Sequence, residues 1–175
     1  MTVTTAERAV LDKIDEDALV ETARSLVRAC GQNPPGEEAA TVAVLAGAAA
    51  ELGLDVHEEP VQPGRDNLRV TLRGGEGPGL LLLGHTDVVP VGDGWREDPF
   101  GAAVHNGRIY GRGATDMKGG LAACLSAMAA LRGTGLSGPV ELAALVDEEE
   151  NGAGIRTYVS SAKAPFLGCI TAEPT

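Results

Sequence analysis

Apolar positions recur along this chain of 175 residues with two periods, one typical of helices and one typical of strands. Helical spacing covers residues 15–30, 37–52 and 121–133, and a shorter helix is expected at residues 154–162. Strand patterns cover residues 55–61, 67–72, 80–83, 139–146 and 166–171. Because strands alternate with helices over most of the chain, the pattern predicts an α/β fold.

The central pattern is the run Leu-Leu-Leu-Leu-Gly-His-Thr-Asp-Val-Val-Pro at residues 80–90. Four leucines between two glycines predict a short strand that is buried on both faces, as in parallel sheets covered by helices. His85 and Asp87 follow at its carboxyl end, where open α/β sheets place their ligands. A single histidine after a strand would more often be structural, so the interpretation depends on its neighbours.

Acidic residues follow two further apolar strands. The strand at residues 139–146 runs into the acidic run 147–150, the strand at 166–171 is followed by Glu173, and Asp116 precedes the helix that begins near residue 121. Each has an ordinary alternative, such as a solvated helix start, a turn residue or a helix cap. If the strands are parallel neighbours, however, their carboxyl ends converge and these side chains meet in one crevice. The coincidence at several strand ends favours a shared site.

Composition narrows the class of partner. The formal net charge of −11 argues against nucleic acid or an anionic membrane surface, both of which require clustered Lys and Arg. The first 15 residues contain no apolar run of signal-peptide or membrane-spanning length. Cys30, Cys124 and Cys169 are widely spaced in apolar surroundings, so we expect buried, reduced thiols and a cytoplasmic location.

Carboxylate oxygens together with a histidine nitrogen are typical ligands of Zn²⁺, Co²⁺ or Mn²⁺. So many acids suit two divalent ions about 3.5–4 Å apart and bridged by one carboxylate. Such a pair acidifies a water and polarises a carbonyl, while a glutamate outside the ligand shell can accept the water's proton. The residues therefore predict hydrolysis of an amide. Asp87, two residues from His85, is spaced to accept the other imidazole proton.

Four motifs together resemble the dinuclear zinc amidohydrolase and exopeptidase family, which includes acetylornithine deacetylase, succinyl-diaminopimelate desuccinylase, aminoacylase and glutamate carboxypeptidase. They are Gly-His-Thr-Asp-Val-Val-Pro at 84–90, Gly-Arg-Gly-Ala-Thr-Asp-Met-Lys-Gly-Gly at 111–120, Asp-Glu-Glu at 147–149 and Ala-Glu-Pro-Thr at 172–175. The likeness covers nearly the whole chain. It implies a zinc exopeptidase-like catalytic domain, with three layers in which a mixed, largely parallel sheet is flanked by helices.

The resemblance also implies a role for each matching residue. In the family's pattern one metal ion is held by His85 and Glu173, the second by Glu149, and Asp116 bridges the two. Asp87 would orient His85, and Glu148 would be the general base, so the expected roles are catalytic for Asp87 and Glu148 and metal-binding for His85, Asp116, Glu149 and Glu173. The expected cofactors are two divalent ions, with zinc favoured and cobalt or manganese as alternatives. A cis peptide bond is expected between Asp116 and Met117.

Members of the family are longer, with a lid or dimerisation domain inserted after the fourth motif. We therefore expect residues 1–175 to be the N-terminal part of the catalytic domain, truncated before the lid domain and before the segment that supplies a second metal-binding histidine. His57 and His105 are expected to be solvent-exposed.

The expected function is hydrolysis of the amide bond of a small N-acyl amino acid, of the deacetylase or desuccinylase type, by a parent enzyme that could be a homodimer. A di- or carboxypeptidase with the same site is one alternative. A catalytically incompetent metal-binding fragment is the other.

Overall fold

The computed structural model of the chain describes residues 3–162 and 165–174. The helices are α1 (Thr5–Leu11), α2 (Glu16–Arg28), α3 (Ala39–Glu51), α4 (Gly119–Ala130) and α5 (Ala153–Ser161). The strands are β1 (Asp55–Gln62), β2 (Arg65–Leu72), β3 (Gly79–His85), β4 (Ala103–His105), β5 (Arg108–Tyr110), β6 (Val140–Leu145) and β7 (Phe166–Thr171). Every helix and strand expected from the periodicity is present, with ends that shift by a few residues. The last residue of the fourth motif, Thr175, lies outside the described residues.

Five strands form one sheet in the order β1, β2, β6, β3, β7. The strand β3 is parallel to both of its neighbours, β6 and β7, whereas β1 and β2 complete the sheet through antiparallel pairs. The prediction of a mixed sheet is therefore confirmed, and its parallel half consists of the three strands that run into His85 or acidic residues. Their carboxyl ends lie at the same edge of the sheet.

Helices cover both faces of the sheet, which confirms the expected three layers. The helices α2, α3 and α4 pack on one face around a core that includes Leu26, Leu45, Leu68, Leu125 and Leu142. The helix α5 covers the other face, where Tyr158 packs with Ala143 and Leu145. Burial of each of these leucine side chains contributes about 1.5–3 kcal/mol relative to exposure, so the larger core accounts for most of the apolar stabilisation.

The ends of the two N-terminal core helices follow from single residues. Asp15 precedes α2, and its carboxylate accepts a hydrogen bond from the Ala18 N–H at 3.0 Å, as an N-terminal cap does. Gly53 follows α3 with a φ of +67°, a left-handed conformation that ends helices and suits glycine.

Three of these helices and strands were not predicted. The helix α1 has no buried residue and begins with a capping box between Thr4 and Glu7, so it carries no apolar stripe that periodicity could detect. The strands β4 and β5 form a short antiparallel hairpin in a part of the chain where the pattern predicted neither a helix nor a strand. Asn106 and Gly107 both have positive φ angles at its turn, as two-residue hairpin turns require.

The prediction of three buried cysteines was wrong. All three thiols are free, but only Cys124 is buried, while Cys30 is half-buried and Cys169 is exposed. The reason lies in the position of Cys169 on β7, which is an edge strand whose residues are almost all exposed. Within the described ranges, none of the helices has the length and apolar character needed to cross a membrane.

Candidate metal centre

The carboxyl end of β3 is held by its pairing with β6. His85 is paired with Leu145 of β6, and the next residue, Thr86, continues the ladder by donating its backbone N–H to the Leu145 carbonyl at 2.8 Å. His85 is only 2% exposed, and Thr86 and Asp87 are fully buried. The backbone that presents the His85 ring is therefore fixed by the sheet rather than by a loop.

The two ring nitrogens of His85 face different partners. Nδ1 lies 3.0 Å from the Asp87 backbone carbonyl and 3.5 Å from the Asp87 carboxylate, so the carbonyl is the closer acceptor for an Nδ1–H. Nε2 lies 3.0 Å from Asp116 Oδ1 and 3.6 Å from Glu173 Oε2. With the proton on Nδ1, the Nε2 lone pair points at a group of carboxylates, which is the orientation of a metal ligand.

Asp116 comes from a wide helical turn at Ala114–Lys118 that precedes α4. Its peptide bond to Met117 is cis, as the family resemblance implied. Lys118, not Asp116, occupies the position before α4, so the alternative of a helix cap does not apply. The Asp116 side chain is 49% exposed and turned toward His85.

Buried contacts on either side of Asp116 anchor this turn. The Met117 sulfur accepts the His85 backbone N–H at 3.1 Å, which ties the turn to β3. The fully buried Lys118 amine donates to the Leu26 carbonyl at 2.8 Å and to the Cys30 carbonyl at the end of α2. Burial lowers the pKa of Lys118 to about 8, partly offset by the nearby groups of Cys30 and Asp87. The turn that carries the Asp116 carboxylate is therefore anchored to β3 on one side and to the C-terminal end of α2 on the other.

Asp87 places the acidic residues that follow β6. Its Oδ1 accepts the Glu148 N–H at 3.2 Å, and its Oδ2 accepts the Glu149 N–H at 3.1 Å. Burial works against the charged form of Asp87, but the His85 ring, the Asn33 amide and the Glu149 N–H keep its pKa below the usual range. The sequence assigned Asp87 only to His85, whereas the structure also shows its carboxylate bonding the backbone of both glutamates.

His85, Asp116 and Glu149 each offer one ligand atom, and these atoms lie within 4.8 Å of one another. The Glu173 carboxylate stands beside the same ring nitrogen, with a side chain that is 41% exposed. Glu148 is exposed and lies outside this group of three. The structure thus brings together four of the six residues named from the sequence around one point, with Asp87 beneath them and Glu148 next along the chain.

The electrostatics of this group favour a cation. Burial and the negative charges of Asp116 and Glu148 raise the pKa values of Glu149 and Glu173. Burial would lower the pKa of His85, but the carboxylates of Asp87, Glu148 and Asp116 outweigh it and raise that pKa to about 9. An imidazolium therefore balances part of the negative charge. One imidazole nitrogen and several carboxylate oxygens also form a donor set that fits a divalent transition-metal ion.

His57 and His105 lie away from this group, as predicted. Both are exposed, and His105 Nε2 is 3.2 Å from the Glu97 carboxylate near the β4–β5 hairpin.

A buried polar network behind the centre was missed by the sequence interpretation. It contains Asn33, Glu38, Arg65 and Asp147, and Asn33 donates to both Asp87 and Asp147. The only signals are an asparagine before two prolines and an arginine two residues before a predicted strand. Neither signal points to a partner far along the chain.

A half-parallel sheet between helices, with histidine and acidic residues meeting at its strand ends, defines the class of metal-dependent hydrolases. Peptidase family M20/M25/M40 matches residues 81–175, which is more than half of the chain, and the chain belongs to that family.

Two of the curated relatives are enzymes that remove different acyl groups according to their names. The chain is 41% identical over 140 residues to an acetylornithine deacetylase of Salmonella arizonae, covering 78% of this chain and 36% of the relative. It is 41% identical over 170 residues to a succinyl-diaminopimelate desuccinylase of a Methylobacterium species, covering 87% of this chain and 41% of the relative. The chain thus spans about two fifths of the length of these curated relatives.

Solved structures share the fold. An M20 family metallo-carboxypeptidase from Sulfolobus solfataricus superposes with a TM-score of 0.71 at 25% identity, covering 88% of this chain and 37% of that one. Human carnosine dipeptidase 1 superposes with a TM-score of 0.76 at 22% identity, covering 95% of this chain and 41% of that one. The architecture is therefore that of M20 metallopeptidases, of which this chain matches a part.

Proposed function

We propose that this chain carries most of the metal centre of an enzyme that hydrolyses the amide bond of a small N-acyl amino acid. The observation that supports the proposal is the convergence of His85, Asp116 and Glu149 ligand atoms within 4.8 Å at the ends of parallel strands. The names of the two relatives above, a deacetylase and a desuccinylase, support an acyl group on an amino acid rather than a longer peptide.

The proposed centre takes two divalent ions, with zinc favoured and cobalt or manganese as alternatives. His85 and Glu173 would hold one ion, Glu149 would hold the other, and the half-exposed Asp116 would reach both. The pairwise distances from His85 Nε2 to Asp116 and Glu173, 3.0 and 3.6 Å, support a shared ligand position. When bound, such ions polarise a carbonyl and acidify a water.

In the proposed reaction Glu148 moves the proton. Its carboxylate accepts a proton from the attacking water and later delivers one to the nitrogen of the leaving amine. Its backbone N–H is held by the Asp87 carboxylate at 3.2 Å, while its side chain is exposed to solvent and lies outside the group of ligands. With a metal ion bound, His85 would be neutral, with its remaining proton on Nδ1 facing the Asp87 carbonyl at 3.0 Å and with Nε2 free to act as the ligand.

Residues 1–175 would then form the N-terminal part of a catalytic domain, with the lid or dimerisation domain and the rest of the catalytic domain elsewhere in the parent protein. The share of about two fifths of each relative supports this division. The three free thiols support a cytoplasmic location. A parent homodimer, and a surface that binds neither nucleic acid nor membranes, remain predictions based on the motifs and the net charge of −11.

The test uses the protein encoded by the complete reading frame that contains this chain. Its activity is measured on N-acetyl and N-succinyl amino acids and on dipeptides, together with its metal content. We expect Glu148→Gln to retain the metal and to lower kcat by about 10²–10⁴-fold, the usual contribution of a general base. The matched control is Glu150→Gln, which removes the charge of an exposed glutamate two residues away and should leave kcat unchanged.

Each other outcome points to a stated alternative. Cleavage of dipeptides without deacylation would favour the peptidase, which uses the same residues. A protein that binds metal but cleaves neither substrate would favour the incompetent metal-binding fragment. Full activity in Glu148→Gln would contradict the assignment of the base.

A further inference from the structure

Asn33 lies in the loop between α2 and α3, is 3% exposed, and has no part in the chemistry proposed above. Its backbone N–H donates to the Val88 carbonyl at 2.9 Å, and the Val88 N–H donates to the Gly31 carbonyl at 3.0 Å. The loop therefore pairs with the segment that directly follows His85 and Asp87. This pairing brings the Asn33 side chain beneath the candidate metal centre.

The Asn33 side chain joins two buried carboxylates that come from different strands. Its amide nitrogen donates to Asp87 Oδ2 at 2.9 Å and to Asp147 Oδ1 at 3.0 Å. A side-chain amide has two N–H donors, so both are used. Asp87 and Asp147 are fully buried, and they follow β3 and β6 respectively. One neutral group thus fixes the distance between two negative charges.

The two carboxylates in turn hold residues 148–152, the segment between Asp147 and α5, which we call the acidic loop. Asp87 bonds the backbone N–H groups of Glu148 and Glu149, and Asp147 bonds the Ala153 N–H at 3.1 Å, where α5 begins. The loop is therefore held at its start and at its end by the two side chains that Asn33 connects. A shift of Asn33 would act on Glu148 and Glu149 through Asp87.

Asp147 also has a cationic partner, Arg65, on the side away from His85. Arg65 donates to Asp147 Oδ1 at 3.2 Å and through Nε to Glu38 Oε2 at 2.9 Å, and Glu38 is fully buried. Arg65 thus contacts Asp147, and the His85 ring lies 3.5 Å from the Asp87 carboxylate. Between the two carboxylates, the Asn33 amide supplies the two N–H donors that join them.

We propose that Asn33 is a positioning residue that locks Asp87 and Asp147 together and so sets Glu148 and Glu149 relative to His85. Its consequence for metal binding rests on the proposed function, whereas its effect on the backbone of the acidic loop does not. A purely structural role in the loop would lower the overall stability alone. The proposal adds a local effect at Glu148 and Glu149.

The first measurement is amide hydrogen exchange by NMR in the metal-free chain, comparing the unsubstituted protein with Asn33→Ala and Asn33→Asp. Exchange at Glu148 and Glu149 is expressed relative to Leu142, which is paired on both sides at the centre of the sheet and reports global opening. In both variants we expect the ratio of the exchange rate at the two glutamates to the rate at Leu142 to rise about tenfold above its value in the unsubstituted protein. The reason is that the loop can then open locally without global unfolding. Asn33→Asp, which keeps the shape but removes the donors, should be affected at least as much as Asn33→Ala.

The matched control is Tyr158→Phe. The Tyr158 hydroxyl is buried and donates to Glu141 Oε1 at 2.8 Å on the α5 face of the sheet. Its removal also costs one buried hydrogen bond, but it touches neither Asp87 nor the acidic loop. We expect the ratio of exchange rates at the glutamates and at Leu142 to stay as in the unsubstituted chain.

The second measurement is Co²⁺ binding followed by the visible absorption of the ion, which responds to ligand geometry. In Asn33→Ala we expect affinity to fall about 10–100-fold, the usual effect of losing an outer-shell partner, with an altered band shape. If the unsubstituted chain bound no Co²⁺, the proposed function would be wrong, and hydrogen exchange would still decide the role of Asn33. The inference is overturned if both Asn33 variants retain the normal exchange ratio at Glu148 and Glu149.

Discussion

The strands β6 and β7 flank the same central strand in the same direction, yet they differ completely in burial. All six residues of β6 are buried, whereas β7 is exposed along nearly its whole length. Leu142 of β6 is fully buried, and Leu167 of β7 is 76% exposed. The acidic loop therefore follows a strand that is packed in the core. Glu173, in contrast, follows an edge strand that contributes a candidate ligand but almost no buried side chain.

The comparison shows that the candidate centre is built in two unequal halves. His85, Asp87 and the backbone of Glu148 and Glu149 are held by the sheet and by buried hydrogen bonds. Asp116 and Glu173 reach the same point with side chains that are 49% and 41% exposed. Substitutions in the first half should alter stability and the site together, and substitutions in the second half should alter the site alone.

The largest effect is expected from Asp87→Ala. The substitution leaves the N–H groups of Glu148 and Glu149 and the Asn33 amide without their buried acceptor, and removes the charge beside His85. Loss of one partner from a buried charged network costs about 3–5 kcal/mol. The measurement is urea unfolding of the metal-free chain, with Asp116→Ala as the comparison.

The carboxylate of Asp116 is half-exposed, so its removal should cost less than about 1 kcal/mol, as for partly solvated ion pairs. Equal losses in Asp87→Ala and Asp116→Ala would show that the two halves are not different in kind.

A matched pair of leucine substitutions tests the two strands directly. Leu142→Ala removes a fully buried side chain from the main core and should lower the free energy of unfolding by about 2–5 kcal/mol. Leu167→Ala makes the same chemical change at an exposed position and should alter that free energy by no more than about 0.5 kcal/mol. Thermal or urea unfolding measures both. A large loss in Leu167→Ala would mean that β7 is covered in solution by something that this chain alone does not explain.

A smaller effect is expected from pH, with opposite signs for metal affinity and for stability. The His85 pKa of about 9 means that a divalent ion must displace a proton at neutral pH. Apparent Co²⁺ affinity should therefore rise about tenfold per pH unit between pH 6.5 and 8.5, with release of one proton. Calorimetric titration in buffers of different ionisation enthalpy measures both quantities.

The stability of the metal-free chain should change in the other direction over the same pH range. The pKa of His85 is raised in the folded state, so its stabilising contribution is complete below about pH 6.5 and is lost as the pH rises through about 9. The lowered pKa of Asp87 acts only at acid pH and does not enter this window. A metal-free stability that increases between pH 7 and 9 would contradict the charged state assigned to His85.

The sequence predicted the parts of the fold that depend on local periodicity and strand order. The apolar strands with polar residues at their carboxyl ends were visible because each pattern lies within about ten residues, and parallel pairing then brings the ends together. What could not be predicted depends on contacts between distant segments. Asn33 meets Asp87 across 54 positions and Asp147 across 114 positions, and an Asn-Pro-Pro loop gives no sign of either partner.

The exposure of Cys169 was mispredicted for a related reason. Its apolar neighbours, Leu167 and Ile170, indicated a buried strand, but burial also requires a second layer over that strand. In the described residues β7 lies at the edge of the sheet, and both of these side chains are more than half exposed. Local sequence therefore predicted the strand but not its environment.

The most direct test of the central claim is a calorimetric Zn²⁺ titration of this chain, of His85→Ala and of His105→Ala. His105 is the matched control, because it is an exposed histidine beside Glu97 and away from the carboxylate group. We predict saturable binding that His105→Ala retains and that His85→Ala weakens by at least about 100-fold, since the imidazole nitrogen is one of few ligands. Equal Zn²⁺ affinity in all three proteins would contradict a metal centre at His85.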